Sequence, residues 1–350
     1  MFNRRDGRGV PNLVVAQRVI DKMVTAAQYH IEDETGEAMV GVVVPGRHTG
    51  GIPTLYVLDT ISPDESAVRQ FHTFQQGDER QDELIWWLQE NWRLQREKRS
   101  LLDIVLPPKW DVPLRYLGDW HKQPGYMIQP SGGDLMTALE WIDDSENNTD
   151  FLLAPIVTLG HPHTIGTSSV LTNFLMVAQD GGTAIRVDYW YIDNRSQMFL
   201  PIAPTVYPNE QLPALAPYPW HLVDEERFSR ENQLLREDEL FISLTLWDTD
   251  DEPPLEICFL TARANVDKML IVVTSWDYPK RAPKVRVAPF IHMKAGDDMY
   301  KVFEQAWKSS QPVDVALEWT PERTLLDVIH AAEDKLGLKA KDTGSEKETL

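Results

Sequence analysis

Residues 116–135, YLGDWHKQPGYMIQPSGGDL, hold the side chains best suited to chemistry in this chain. His121 and Gln123 stand two apart, so on an extended segment both point to one side. Pro124 follows, and Ser131-Gly-Gly-Asp134 comes a short loop later. A catalytic zinc site needs three protein ligands, an open position for water, and a carboxylate within reach to take the water's proton. An imidazole, a second donor two residues on, and a carboxylate at a helix start have that character. The acidic run Glu32-Asp33-Glu34 holds carboxylates upstream. The same Ser-x-x-Asp also matches a helix capping box before the apolar run LMTALEWI, with Asp for the usual Glu or Gln. Asp134 would then favour the helix dipole. The two glycines cost helix propensity and suit close approach of backbone to a ligand, which a cap alone does not require.

Positioning these groups is the work of the surrounding elements. Segments 39–45 (MVGVVVP) and 54–59 (TLYVLD) are β-branched, apolar and bounded by Gly or Pro, and read as strands. Residues 14–31 have helical spacing through Val14, Val15, Val19, Ile20, Met23, Val24 and Ala27. A second helix is expected over 82–104, with Leu84, Ile85, Leu88 and Trp92 on one face and Pro107-Pro108 as the stop. Trp86, Trp87 and Trp92 read as packing against a sheet. Further strands are expected at 113–118, 152–158, 171–178 and 184–193. The order predicts an α+β fold with a mixed sheet.

Residues 201–220 carry six prolines and read as an extended linker. Beyond it come a polar helix (224–237), strands at 239–247, 255–262 and 269–276, and a proline-punctuated strand over 278–289. Helices at 299–309 and 321–336 close the pattern, with Pro321 at a helix start. The domains so defined are 1–200 and 221–338, and the polar tail 339–350 reads as disordered.

The chain has 350 residues, 42% of them apolar, and a formal net charge of −20. That field repels a nucleic-acid backbone and an anionic membrane, and suits a partner with a basic face. There is no uninterrupted apolar run of membrane-spanning length and no apolar segment of a secretory signal. A cytoplasmic protein is the expectation. The single cysteine, Cys258, excludes an internal disulfide framework and a multi-cysteine zinc site; within an apolar strand it reads as a core thiol.

The residues at 34–41 and 116–134 resemble the JAMM (MPN-domain) metallopeptidases of bacterial JAB type. That family carries His-x-His-Pro, six residues, then Ser-x-x-Asp, with an upstream Glu-x-x-Gly-x-Leu-x-Gly. His121, Pro124, Ser131 and Asp134 fall at the family spacing. ETGEAMVG (34–41) is similar to the upstream motif, with Glu34 first, Met39 in the Leu place and Gly41 at the end. Glu37 stands where the family has Gly, and Gln123 stands where the second His ligand belongs. The likeness spans roughly 10–200. It implies zinc held by His121, Asp134 and Gln123, with Glu34 as general base and Ser131 as donor to the oxyanion. Three alternatives follow from Gln123: it ligates through its neutral amide, a water or another histidine fills the position, or the site is metal-free. His161 and His163 are the spare histidines.

Residues 221–338 resemble the ubiquitin-conjugating enzyme fold or its RWD relative. The likeness lies in the polar first helix, the meander, the turn Tyr278-Pro279-x-x-x-Pro283, and the run W-T-P-x-x-T-L-L-D-V-I at 319–329. Conjugating enzymes need a cysteine after that turn, and this chain has none there, so the second domain reads as non-catalytic. Together the resemblances imply a zinc-dependent, deubiquitinase-like peptidase or isopeptidase acting on a ubiquitin-like protein or its conjugates, in contact with an activating enzyme. The alternative they imply is a metal-free JAMM pseudoenzyme serving as a scaffold in a bacterial ubiquitin-like conjugation system.

Overall fold

The computed structural model describes residues 9–48, 50–70, 73–75, 79–101, 108–162, 172–177, 184–249, 254–294 and 296–338. The fold is α+β, in two compact units, Met1–Ala216 and Pro217–Leu350. Among the described residues no helix is long and apolar enough to cross a membrane.

The first unit opens with β1 (Asn12–Ala16) and α1 (Gln17–Tyr29), then β2 (Thr35–Val44), β3 (Thr54–Ile61), β4 (Val68–Gln70), β5 (Thr73–Gln75) and α2 (Glu79–Leu101). It continues with β6 (Leu114–Lys122), α3 (Gly132–Asp143), β7 (Phe151–Leu153), β8 (Ile156–Leu159), β9 (Phe174–Val177), β10 (Ile185–Asp188), β11 (Trp190–Asp193), β12 (Leu200–Pro201) and β13 (Pro204–Tyr207). The main sheet runs β12-β11-β7-β6-β2-β3-β1-β13, with β8, β9 and β10 attached beyond β6. The helix expected over 14–31 starts later, at Gln17. Val14 and Val15 belong instead to β1, where parallel pairing with β3 and β13 uses their β-branched side chains. Val19, Ile20, Met23, Val24 and Ala27 form the buried face of α1. On α2, Trp87 and Trp92 are buried while Trp86 is half exposed, so only two of the three tryptophans reach the core.

The segment expected to be a linker belongs in large part to this unit. Residues 204–207 form β13 and pair in parallel with Leu13–Ala16, and Arg18 Nη2 donates to Pro213 O at 3.0 Å. Its prolines are compatible with pairing because β13 lies at the sheet's edge.

The second unit consists of α4 (Trp220–Val223), α5 (Glu225–Glu237), β14 (Phe241–Trp247), β15 (Glu256–Ala262), β16 (Lys268–Thr274), β17 (Lys284–Pro289), α6 (Met299–Ser309), β18 (Gln311–Val313) and α7 (Leu325–Leu336). Its five strands form an antiparallel meander in chain order. One face of the sheet, with Cys258, Leu260, Met269, Ile271 and Val273, packs on Val302, Phe303 and Ala306 of α6. On the other face Trp220 meets Phe259 and donates to Thr274 Oγ1 at 3.0 Å. Helix α7 begins at Leu325, not at Pro321. Thr324 is its N-cap, in a reciprocal capping box with Asp327 that sets the first turn. Residues 339–350 lie outside the described residues.

Candidate functional site

Strand β6 is the spine of the site. It pairs with β2 on one side, and on the other in parallel with β7 at Gly118 and with β8 at His121. Gly118 has φ +124°, and a Cβ there would lie 2.1 Å from the carbonyl oxygen of Leu153. Only glycine permits that approach, and the β2–β6 register slips beside it, between Met39 and Val40. Beyond the bulge His121 is fixed by its backbone N–H to Pro155 O (3.1 Å), and Gln123 by its own to Val157 O (3.0 Å).

Across the sheet Gly36 pairs with His121 and Glu37 with Trp120. Alternation then puts Gly36 on the His121 face and Glu37 on the opposite one. A Cβ on Gly36 would stand 2.7 Å from the Phe74 ring, so the glycine makes room for Phe74 beside the strand. Glu34, just before β2, is held by its backbone N–H to Gln70 O at 2.9 Å. Glu37 is buried and accepts a short hydrogen bond from Ser62. Burial pushes its carboxyl above the usual range, against hydrogen bonds from Ser62 and Thr60 and the charge of Lys22.

Ser131 and Asp134 form a reciprocal cap at the start of α3. Ser131 N donates to Asp134 Oδ2 at 2.5 Å, and Asp134 N donates to Ser131 Oγ at 3.2 Å. The capping-box interpretation of Ser-Gly-Gly-Asp therefore holds in full. It does not exhaust Asp134, whose other oxygen, Oδ1, lies 3.9 Å from His121 Nε2. Burial lowers the pKa of His121, and the Asp134 charge acts in the opposite direction.

His121 and Asp134 open into a cleft of about 560 Å³ that Glu34 also lines. Of the five residues singled out from the sequence, these three meet there. Ser131 is engaged at the cap. Gln123 is buried, does not line the cleft, and its Oε1 meets no hydrogen-bond donor among the described residues. His161 Nδ1 sits 2.8 Å from Pro162 O, with its ring against Tyr126, and does not line the cleft. His163 lies outside the described residues. Other parts of the wall went unread in the sequence, among them Phe74, Tyr116, Asp119, Trp141 and Phe199. Asp119 had a detectable signal, standing two residues before His121 on the same strand. Tyr116 donates to Asp119 Oδ2 at 2.6 Å, and burial, then the Asp119 charge, holds its phenol well above the ordinary value.

A tetrahedral catalytic zinc needs three protein donors. Here two converge, one of them shared with a helix cap. Among the described residues no group of three or more His, Cys, Asp and Glu side chains is placed to hold a metal. The third expected donor, Gln123, is a buried neutral amide. Among the described residues, His121 and Asp134 are the expected ligands that line the cleft.

No family model matches the chain. No curated protein matches it in sequence. Among solved structures, the solution structure of a protein from Desulfitobacterium hafniense aligns with 56% of this chain and 93% of its own length, at 11% identity and a TM-score of 0.29.

Proposed function

We propose that the first unit is a JAMM-like pseudoenzyme whose cleft binds an extended segment of a ubiquitin-like protein, and that the second is a conjugating-enzyme-like docking domain without a nucleophile. The observation that carries this is the partial site. His121 and Asp134 converge at 3.9 Å in a cleft that Glu34 also lines, while position 123 holds a buried amide that does not line it. Two converging donors, with a neutral amide at the third expected position, support a binding cleft over a zinc centre. The second unit is consistent with docking. Cys258 is fully buried in β15, before the Tyr278–Pro283 turn, and burial pushes its thiol well above the usual value, with Glu256 adding to the rise. A thioester needs an accessible thiolate.

A second reading, a weak zinc peptidase, is favoured by one feature. A buried carbonyl oxygen without a donor, as at Gln123, is the kind of atom that an ion or water satisfies.

Elemental analysis after dialysis separates the two. The pseudoenzyme retains no stoichiometric zinc and does not cleave a linear fusion to ubiquitin, and it captures ubiquitin with an intact tail better than ubiquitin lacking it. Stoichiometric zinc in the wild type, with cleavage abolished by Glu34→Gln, would sink the pseudoenzyme and restore the peptidase.

A further inference from the structure

The sheet of the second unit has two unlike edges. At one end β18 is three residues long and contains Pro312, which cannot donate to a neighbouring strand. The main path of the first unit's sheet also ends in prolines, Pro201 in β12 and Pro204 in β13. Proline and short length keep a sheet edge from pairing with another chain. β14, at the other end of the second sheet, has neither. Its seven residues, FISLTLW, include no proline, glycine or charged side chain, and they pair with β15 in unbroken register from Phe241–Ala262 to Trp247–Glu256. In a strand paired on one side, every second residue points its N–H and C=O away from the partner. Among the described residues no hydrogen bond meets those outward groups of β14. Apolar side chains flank the edge on both faces. Phe241 lies on the α6 side, opposite Ala262, and is 41% exposed; Leu244 lies on the other side, opposite Phe259, and is 36% exposed. Two exposed acids, Glu237 and Glu239, precede the strand, and among the described residues neither is in an ion pair. Asp238 between them is taken by Arg263 and His330.

We propose that β14 takes up an extended segment of a partner protein as an added antiparallel strand, and that this segment carries apolar residues against Phe241 and Leu244 and a lysine or arginine at its C-terminal end. The proposal rests on reading the second unit as a docking domain. A row of outward amides and carbonyls is matched by another extended backbone, and main-chain hydrogen bonds of this kind supply the affinity of strand addition. The antiparallel orientation continues the meander and pairs more tightly than a parallel one. It also brings the C-terminal end of the segment beside Glu237 and Glu239, where a cation is matched by charge. A second copy of this chain fits less well. Each copy carries a net charge of −20, and the residues that follow β14 in sequence read Asp-Thr-Asp-Asp-Glu, so an antiparallel copy would bring acid toward acid.

The test uses the full chain and a blocked peptide, acetyl-Thr-Val-Thr-Val-Thr-Thr-Val-Lys-Lys-amide, whose second and third valines fall opposite Leu244 and Phe241 in antiparallel register. One control ends in Glu-Glu. Another has two adjacent central prolines, which remove one N–H from each side of the strand. Binding is read by fluorescence of the labelled peptides and by hydrogen–deuterium exchange of the protein. The lysine peptide is expected to slow the exchange of alternate amides within 241–247 and to leave β18 unmoved. The proline peptide should bind about tenfold more weakly, through lost ladder hydrogen bonds. The glutamate peptide should bind about fivefold more weakly at low salt, with the difference shrinking as salt is added. Glu237→Lys combined with Glu239→Lys, at exposed positions, should reverse the preference between the lysine and glutamate endings. Exchange of β14 unmoved at high peptide concentration, a proline peptide that binds equally well, or a lysine preference that survives the charge reversal would each overturn the proposal. Protection of β14 that rises with protein concentration in the absence of peptide would assign the edge to a second copy and overturn it as well. A reductant-sensitive adduct at Cys258 removes the docking reading and leaves strand addition standing. An inert Cys258 with β14 unprotected by the peptide removes strand addition alone.

Discussion

The cleft of the first unit and the carboxylate network of the second make opposite use of polar groups. In the cleft, His121, Asp119 and Asp134 come from two elements and meet at a surface, and Asp134 divides its oxygens between a cap and His121. In the second unit Glu231 is fully buried and fully occupied. Its Oε1 accepts from the Tyr278 hydroxyl (2.5 Å) and from Arg227 Nε (2.8 Å), and its Oε2 accepts from Leu325 N (2.9 Å). One side chain thereby joins α5, the Tyr278 turn and the start of α7. A saturated carboxylate of this kind holds a fold together. Asp134, by contrast, divides its oxygens, with Oδ2 on the cap and Oδ1 3.9 Å from His121 at the cleft.

Glu231→Ala tests the contrast most severely. It leaves Arg227 without its main counter-charge and removes a partner from a buried backbone N–H. A loss of about 3–5 kcal/mol is expected for breaking a buried pair, read by urea unfolding of the full chain. A loss under about 1 kcal/mol would mean that the network is not structural.

The next test is pH. His221 is buried between Trp220 and Phe228, and burial lowers its pKa to about 4. The unfolded chain then binds a proton near pH 6.5 that the folded chain refuses until about pH 4. Stability from this group is complete above about pH 6.5 and is lost on acidification toward pH 4, by about 3 kcal/mol in all. Glu37, in the first unit, has the opposite sign. Its raised folded pKa favours the protonated form, so its contribution is present below the ordinary carboxylate value and is lost as pH rises through the folded value. His221→Leu should flatten the acid limb, and Glu37→Gln should stabilise the protein at neutral pH. If His221→Leu leaves the acid limb unchanged, the imidazole is not buried as described.

A smaller effect is expected at the cap. Ser131→Ala removes the acceptor for Asp134 N and should cost about 1 kcal/mol, with α3 exchanging its first amide protons faster. Unchanged stability and exchange would remove the cap as the anchor of Asp134. Finally, Cys258 should not react with a thiol reagent until the second unit unfolds. Rapid native labelling, or a reductant-sensitive adduct with a ubiquitin-like protein that Cys258→Ser abolishes, would replace a docking domain with a conjugating one.

Local signals were legible in the sequence, and distant ones were not. The repeats of apolar residues in α1, α2 and α7 mark helices because a helix face is written every three to four residues. Ser131-Gly-Gly-Asp134 specifies its cap within four residues, and Thr324-x-x-Asp327 does the same, which moves the start of α7 past Pro321. The pairing of β13 with β1 spans almost the whole first unit, and no local pattern around the prolines of 201–208 announces it. The same holds for the cleft. His121, Glu34 and Asp134 stood out by type and spacing, whereas Phe74, Tyr116, Trp141 and Phe199 are ordinary aromatic residues until the sheet brings them to one place.

By itself the sequence determined the α+β class, the position of most elements, the absence of a cysteine beyond the proline turn, and the neutral donor at position 123. Those properties follow from residue identity and near-neighbour spacing. Only the tertiary structure decided which face of β2 Glu37 occupies, whether Gln123 lines the cleft, and that Asp119 joins it. Strand alternation sends neighbouring residues to opposite sides, so the fate of a side chain depends on register. Here register was set by a bulge at Gly118, where a strand distant in sequence approaches so closely that only glycine fits.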